Sequence, residues 1–146
     1  MKFKLSLIAV LVGALSLGAC GGGSGGGGST VAVDNPASLI VTDVTLGTGA
    51  TVTTGTKATI TYAAYLYKVG ATDSKGALVD PGSQPITFTV GAGSLIAGVE
   101  LGIVGMKVGG HRLLAIPASQ AYGSAGSGSV PPNSGLLFDM TLTAAQ

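Results

Sequence analysis

Ser94-Leu95-Ile96-Ala97-Gly98-Val99-Glu100-Leu101-Gly102-Ile103-Val104-Gly105-Met106-Lys107-Val108-Gly109-Gly110 lies between two stretches patterned for β structure. Leu95, Val99 and Met106 fall near helical spacing, and Ile96, Ile103 and Val104 add apolar bulk. Ser94 can cap the N-terminus, so the pattern predicts a helix over 94–106. Gly98, Gly102 and Gly105 each cost such a helix about 1 kcal/mol relative to Ala. A helix this weak in isolation must be held by whatever packs around it. Gly109-Gly110 then turns the chain.

Upstream, residues 39–46 (Leu-Ile-Val-Thr-Asp-Val-Thr-Leu) read as a strand, broken by Gly47-Thr48-Gly49. Between Lys57 and Tyr67, Ala58, Ile60 and Tyr62 alternate against Lys57, Thr59 and Thr61, a period of two. Residues 69–80 are polar and Gly-bearing, as in a loop or long hairpin. Residues 85–90 form a further short strand. Downstream, residues 111–116 form a strand stopped by Pro117. Residues 119–130 are a Gly/Ser loop around Ala121-Tyr122-Gly123, and Pro131-Pro132-Asn133 is a rigid turn. In a last strand over 136–143, Leu136, Phe138, Met140 and Leu142 share one face. The expected class is α+β: an antiparallel sheet of four to five strands wrapped around one short central helix.

The N-terminus has a different composition. Met1-Lys2-Phe3-Lys4 is basic, residues 5–17 are almost wholly apolar, and Leu17-Gly18-Ala19-Cys20 closes the run with small residues. This is the layout of an export signal, and it is shorter than the roughly 20 residues of a membrane span. Leu-Gly-Ala-Cys resembles a bacterial lipobox, which implies that Cys20 is lipidated and begins the mature protein, tethered to a membrane. Gly21 follows where an Asp would imply inner-membrane retention, so the resemblance favours the outer membrane. Residues 21–29 are Gly and Ser only, a flexible spacer. The expected organisation is a lipoprotein signal peptide (1–19), a lipidated Cys with a Gly/Ser-rich tether (20–38) and one folded domain (39–146).

Composition narrows the chemistry. Without residues 1–19 the chain keeps five Lys/Arg against six Asp/Glu, a side-chain charge of −1. No basic face is available for nucleic acid. Cys20 is the single cysteine, so there is no intramolecular disulfide and no Cys-based metal site. The six acids are scattered, which argues against a bound metal. The single His111 sits beside Arg112 on a strand and reads as a solvated residue. The glycines at 123, 126 and 128 lack the Lys-Ser/Thr ending of a phosphate loop. No cofactor is expected. What remains is an apolar site with a few polar handles.

At this point several segments become specific together. The stretch 98–110, then Ile116-Pro117, Ala121-Tyr122-Gly123, Val130-Pro131-Pro132-Asn133-Ser134 and Leu136-Leu137-Phe138-Asp139-Met140 follow one another in order. Together they resemble the FKBP-type peptidyl-prolyl isomerases over about residues 39–146. The resemblance implies an FKBP-like fold and an enzyme acting on proline-containing polypeptides, with a macrolide as a further ligand. It implies that Tyr62, Asp80 and Tyr122 serve catalysis. Phe88, Leu95, Ile96, Val99, Val130 and Phe138 would bind substrate, the Ile96 N–H taking a substrate carbonyl. Val99 stands where the family has a pocket-floor Trp, Val79 replaces the Phe of a Phe-Asp motif, and Ile86 replaces another aromatic. The pocket is therefore expected to be less aromatic. A second reading follows from these replacements: a catalytically weak binding or chaperone module on the same fold. No long helical extension of the kind that dimerises some envelope relatives is present, so a monomer is expected.

Overall fold

The computed structural model describes residues 33–146. The signal segment, Cys20 and most of the tether lie outside the described residues. Among the described residues, six strands and one α-helix follow in the order β1 (Ile40–Thr45), β2 (Lys57–Tyr67), β3 (Lys75–Asp80), β4 (Ile86–Thr89), α1 (Ala97–Ile103), β5 (His111–Ile116) and β6 (Leu136–Ala145). They form one antiparallel sheet ordered β1-β5-β6-β2-β3, with β4 also on β2. The FKBP-like α+β class is what the sequence implies, with one strand more than expected. That strand is β3, inside the segment read as a loop or long hairpin. Its pairing to β2 is irregular, with two register shifts, and its burial does not alternate, so it leaves no period-two signature.

β2 has two partners on one edge. Its first half pairs with β4 up to Ile60↔Ile86, and its second half with β3 from Ala64↔Asp80. Thr61–Ala63 therefore have no ladder partner on that side. Tyr62 sits in this break, and the connection 81–85 passes over it. Gly82 makes that crossing possible: its φ is +56° and a Cβ there would fall 1.8 Å from the Tyr62 carbonyl oxygen. Only glycine accepts both the left-handed backbone and the contact.

The helix is shorter than expected and is not capped by Ser94. Ile96 is the N-cap residue and makes no side-chain cap bond. Instead the Glu100 carboxylate reaches back, accepting from the N–H groups of Leu95 and Gly93 at 3.1 Å each. Negative charge beside unpaired amides at a helix start is favourable. At the other end, Gly105 turns with φ +81°. There the buried Arg112 guanidinium donates to the carbonyls of Gly102 (2.7 Å) and Val104 (3.3 Å) and to Asp43 of β1 (2.5 Å). One β5 side chain thus ties the helix end to the edge strand.

Glycine is what lets α1 approach the sheet. A Cβ on Gly98 would fall 2.2 Å from Ile116 Cγ2, and one on Gly102 would fall 2.5 Å from Leu114 Cδ1. Gly98 and Gly102 are one turn apart and face β5 together. The propensity they lose is offset by close packing of Val99 and Ile103, both fully buried with Ile60, Leu114, Ile116, Met140 and Leu142. Burying each such side chain stabilises the fold by about 1.5–3 kcal/mol.

Candidate functional site

Between α1 and the sheet lies a cavity of about 100 Å³. Val99 forms its floor from the helix, with Leu95 and Ile96 on the segment entering α1. β2 contributes Ile60, Tyr62 and Ala64, β6 contributes Leu136 and Phe138, Val79 and Asp80 end β3, Ile86 begins β4, and Tyr122 comes from the loop after β5. Period-two geometry explains the set: Ile60, Tyr62 and Ala64 share one face of β2, and Leu136 and Phe138 share the facing side of β6.

The rings of Tyr62 and Phe138 stack with centroids 5.6 Å apart and planes inclined by 22°. The Tyr62 hydroxyl donates to Asp80 Oδ2 at 2.6 Å, and the Gly82 N–H donates to Asp80 Oδ1 at 2.8 Å. Both carboxylate oxygens are therefore engaged, and Asp80 anchors the ring of Tyr62. The hydrogen bond to Asp80, then burial and the negative charge of Asp80, push the Tyr62 hydroxyl up to about 12. The same bond and the Gly82 amide hold Asp80 below its ordinary value, against the opposing effect of burial. At neutral pH Tyr62 is a neutral phenol and Asp80 a carboxylate.

Tyr122 is 39% exposed at the mouth of the cavity. The backbone N–H of Ile96 makes no hydrogen bond among the described residues, while the preceding amides of Gly93 and Leu95 are taken by Glu100. Those two bonds hold the Glu100 carboxyl below its ordinary range although burial opposes them. Glu100 thus fixes the segment that carries Ile96.

Seven of the nine pocket residues expected from sequence come together here: Tyr62, Asp80, Leu95, Ile96, Val99, Tyr122 and Phe138. Phe88 and Val130 do not line the cavity. Both are buried in the core. Phe88 pairs with Ala58, two residues along β2 from the Ile86–Ile60 pair at the cavity wall, so its ring fills the core beyond the site. Val79 and Ile86, read as aromatic replacements, do line the wall. With them the site keeps three rings, those of Tyr62, Tyr122 and Phe138.

Sequence reasoning missed Ile60, Ala64 and Leu136 as wall residues, although the alternation that exposes Tyr62 and Phe138 carries them. It also missed Glu100; an acid in the first helical turn after a Gly/Ser loop was the available signal. His111, expected to be solvated, is half-buried on the opposite sheet face against the Asp139 carboxylate, whose other oxygen accepts from Lys75 Nζ at 2.7 Å. Strand parity separates it from the cavity: Asp139 alternates with Phe138, and its side chain leaves the other side of the sheet.

Comparison with known proteins points one way. The model of the FKBP-type peptidyl-prolyl cis-trans isomerase family matches residues 49–143. FK506-binding protein 4 of Chaetomium thermophilum is 42% identical over 104 residues, covering 70% of this chain and 20% of that protein. FK506-binding protein 5 of Dictyostelium discoideum is 37% identical over 98 residues, covering 65% of this chain and 6% of its own. The chain thus spans a fifth or less of these curated relatives. Among solved structures, AtFKBP13 superposes with a TM-score of 0.63 at 30% identity, covering 77% of this chain and 96% of its own. FkpA from Escherichia coli gives 0.62 at 30% identity, covering 74% of this chain and 48% of its own.

Proposed function

The chain belongs to the FKBP-type peptidyl-prolyl cis-trans isomerase family, and on that premise we propose that it catalyses rotation about X–Pro bonds of polypeptides in a bacterial cell envelope. The observation that carries this reading is the apolar cavity floored by Val99 and fitted with polar groups only at its rim. An apolar cavity of roughly 150 Å³ takes a benzene ring. The roughly 100 Å³ available here suits the smaller pyrrolidine ring.

Rotation about X–Pro is opposed by amide resonance, a barrier of about 18–20 kcal/mol. The twisted transition state has lost conjugation and carries less charge separation than the planar amide. Excluding water removes solvent that favours the planar form, and only contacts better made to the twisted form accelerate the step. No proton transfer is required, which fits a wall without a titrating acid or base at neutral pH. Proline sits on Val99 between Tyr62, Phe138 and Ile96. The Ile96 N–H and the Tyr122 hydroxyl hold the flanking carbonyls. Asp80 is a positioning residue that locks the Tyr62 ring through its hydroxyl.

Delivery to the envelope rests on the first 20 residues: basic start, apolar run, small-residue end and Cys20. Lipidation of Cys20 and the Gly/Ser tether would hold a monomeric domain off the outer membrane. One lipid chain anchors only marginally, so several are required. A second reading is favoured by Val99 and Val79, which remove ring surface worth about 1–3 kcal/mol of contact each: a binding module that grips proline segments with little turnover.

Isomerisation of peptides with an apolar residue before proline, by the full chain, separates the two. Turnover suppressed by a macrolide of the FK506 class, and lowered in Tyr122→Phe with its thermal midpoint nearly unchanged, supports the isomerase. Peptide binding without turnover supports the module. A large stability loss in Tyr122→Phe at unchanged specific activity shows that Tyr122 serves packing instead.

A further inference from the structure

A second cavity of about 370 Å³ lies beside the first, lined by Leu66, Tyr67, Ala77, Pro131 and Ser134, with Asp34 and Lys68 among its polar residues. It falls in the range of ligand sites, about 300–1,000 Å³, and is the roomier of the two. Its walls continue those of the candidate active site. Ala64 of β2 lines the first cavity and Leu66 the second; the two residues share a strand face about 7 Å apart. On β3, Val79 lines the first and Ala77 the second. At the start of β6, Leu136 lines the first and the preceding Ser134 and Gly135 the second.

Ser134 is 3% exposed, and its Oγ has no hydrogen-bond partner among the described residues. A buried hydroxyl left unpaired is costly, and a hydroxyl both donates and accepts. It therefore suits a peptide group, which presents N–H and C=O together. Asp34 and Lys68 lie 3.8 Å apart and offset one another, so the cavity carries no net charge to select a charged ligand. The chain itself is pinned here: the Val69 N–H donates to Asp34 Oδ2 at 3.1 Å and the Gly135 N–H to the Asp34 carbonyl at 3.0 Å. Walls held in this way are formed before any ligand arrives.

We propose that this second cavity is a subsite for the polypeptide substrate, taking an apolar side chain two to four residues from the isomerised proline while Ser134 Oγ bonds the adjoining peptide group. The proposal rests on the isomerase reading of the first cavity. It assigns the enzyme a preference for extended, unfolded chains over short proline peptides, with the preference set by Leu66, Ala77 and Ser134.

The test uses the full chain and two matched peptide sets. Short peptides carry only the X–Pro unit and its immediate neighbours; longer ones add a single Phe at successive positions on either side. The expected kcat/KM is about tenfold or more higher for the best-placed Phe, the scale of burying one apolar side chain. Ala77 is exposed and tolerates enlargement. Ala77→Trp fills the cavity and should abolish the gain while leaving short-peptide turnover unchanged, and Ser134→Ala should reduce it. Equal length dependence in wild type and both variants overturns the proposal and leaves a solvent-filled void. If no peptide is turned over, amide NMR shifts on adding the long peptide decide separately. Shifts at Leu66, Ala77 and Ser134 keep the subsite and remove the isomerase reading. Shifts at Tyr62 and Ile96 alone remove the subsite. Shifts at neither cavity remove both.

Discussion

Replacing Gly98 by Ala sets two known effects against each other. Ala is the better helix former by about 1 kcal/mol, so propensity alone predicts a more stable protein. The added Cβ, however, falls 2.2 Å from Ile116 Cγ2, 3.0 Å from Cγ1 and 3.1 Å from Cβ. Relief to ordinary contact at 3.4 Å or more requires a shift of over 1 Å. Ile116 is fully buried, β-branched and stiff about χ1, and the clash lies near its backbone rather than at a flexible tip. Overpacking costs about 1–3 kcal/mol, and this contact belongs in the upper half of that range. The net expectation is a loss of about 1–2 kcal/mol, a fall in thermal midpoint of roughly 5–15 °C for a domain of this size. Thermal and urea unfolding of the full chain, followed by circular dichroism, measure it. Ile116→Ala alone should cost about 2–5 kcal/mol. Combined with Gly98→Ala it should cost at least about 1 kcal/mol less than the sum, because the new methyl enters vacated space. A raised midpoint in Gly98→Ala, or strict additivity in the pair, would refute the account of why glycine stands on this helix face.

Three further outcomes are expected. Glu100→Ala should destabilise by about 2 kcal/mol, because a carboxylate accepting two amides is removed. The native Glu100 pKa lies below its unfolded value, so its contribution is complete above the unfolded pKa. It is lost as pH falls through the native one, and an acid titration of unfolding should be shallower in the variant. Tyr62→Phe removes the donor to Asp80 and should cost about 1 kcal/mol. Since Tyr62 is raised from 10.0 to about 12, wild-type stability from this bond is full below pH 10 and declines between 10 and 12, a loss the Phe variant should not show. Cys20→Ser should release the protein from membranes in a partition assay; unchanged partition would sink the lipid anchor.

The central motif was legible because its glycines are costly. Gly98, Gly102 and Gly105 in one apolar stretch announce a helix that something else must hold, and alternation in 57–67 and 136–143 announces what holds it. Tyr62, Phe138 and Tyr122 are named at the site through the family resemblance; the local pattern adds only that two are rings on strand faces and one is a ring in a loop with little core to join. β3 was hidden because an irregularly paired edge strand has no reason to alternate. Phe88 was placed at the site by resemblance, but position along β4 decides whether a ring reaches a cavity wall, and one residue pair separates it from Ile86.

Local sequence determined the strands with one buried face and the turns at glycine and proline, because each follows from residues close together in the chain. The tertiary structure alone decided that Gly98 and Gly102 meet Ile116 and Leu114, and that Asp80 spends both oxygens on holding Tyr62. It also decided that Glu100 braces the segment before its own helix and that Ser134 is left buried without a partner among the described residues. Those contacts join residues whose side chains meet only after the sheet has closed around the helix. Their distances follow from the summed packing of the whole core, which no local pattern encodes.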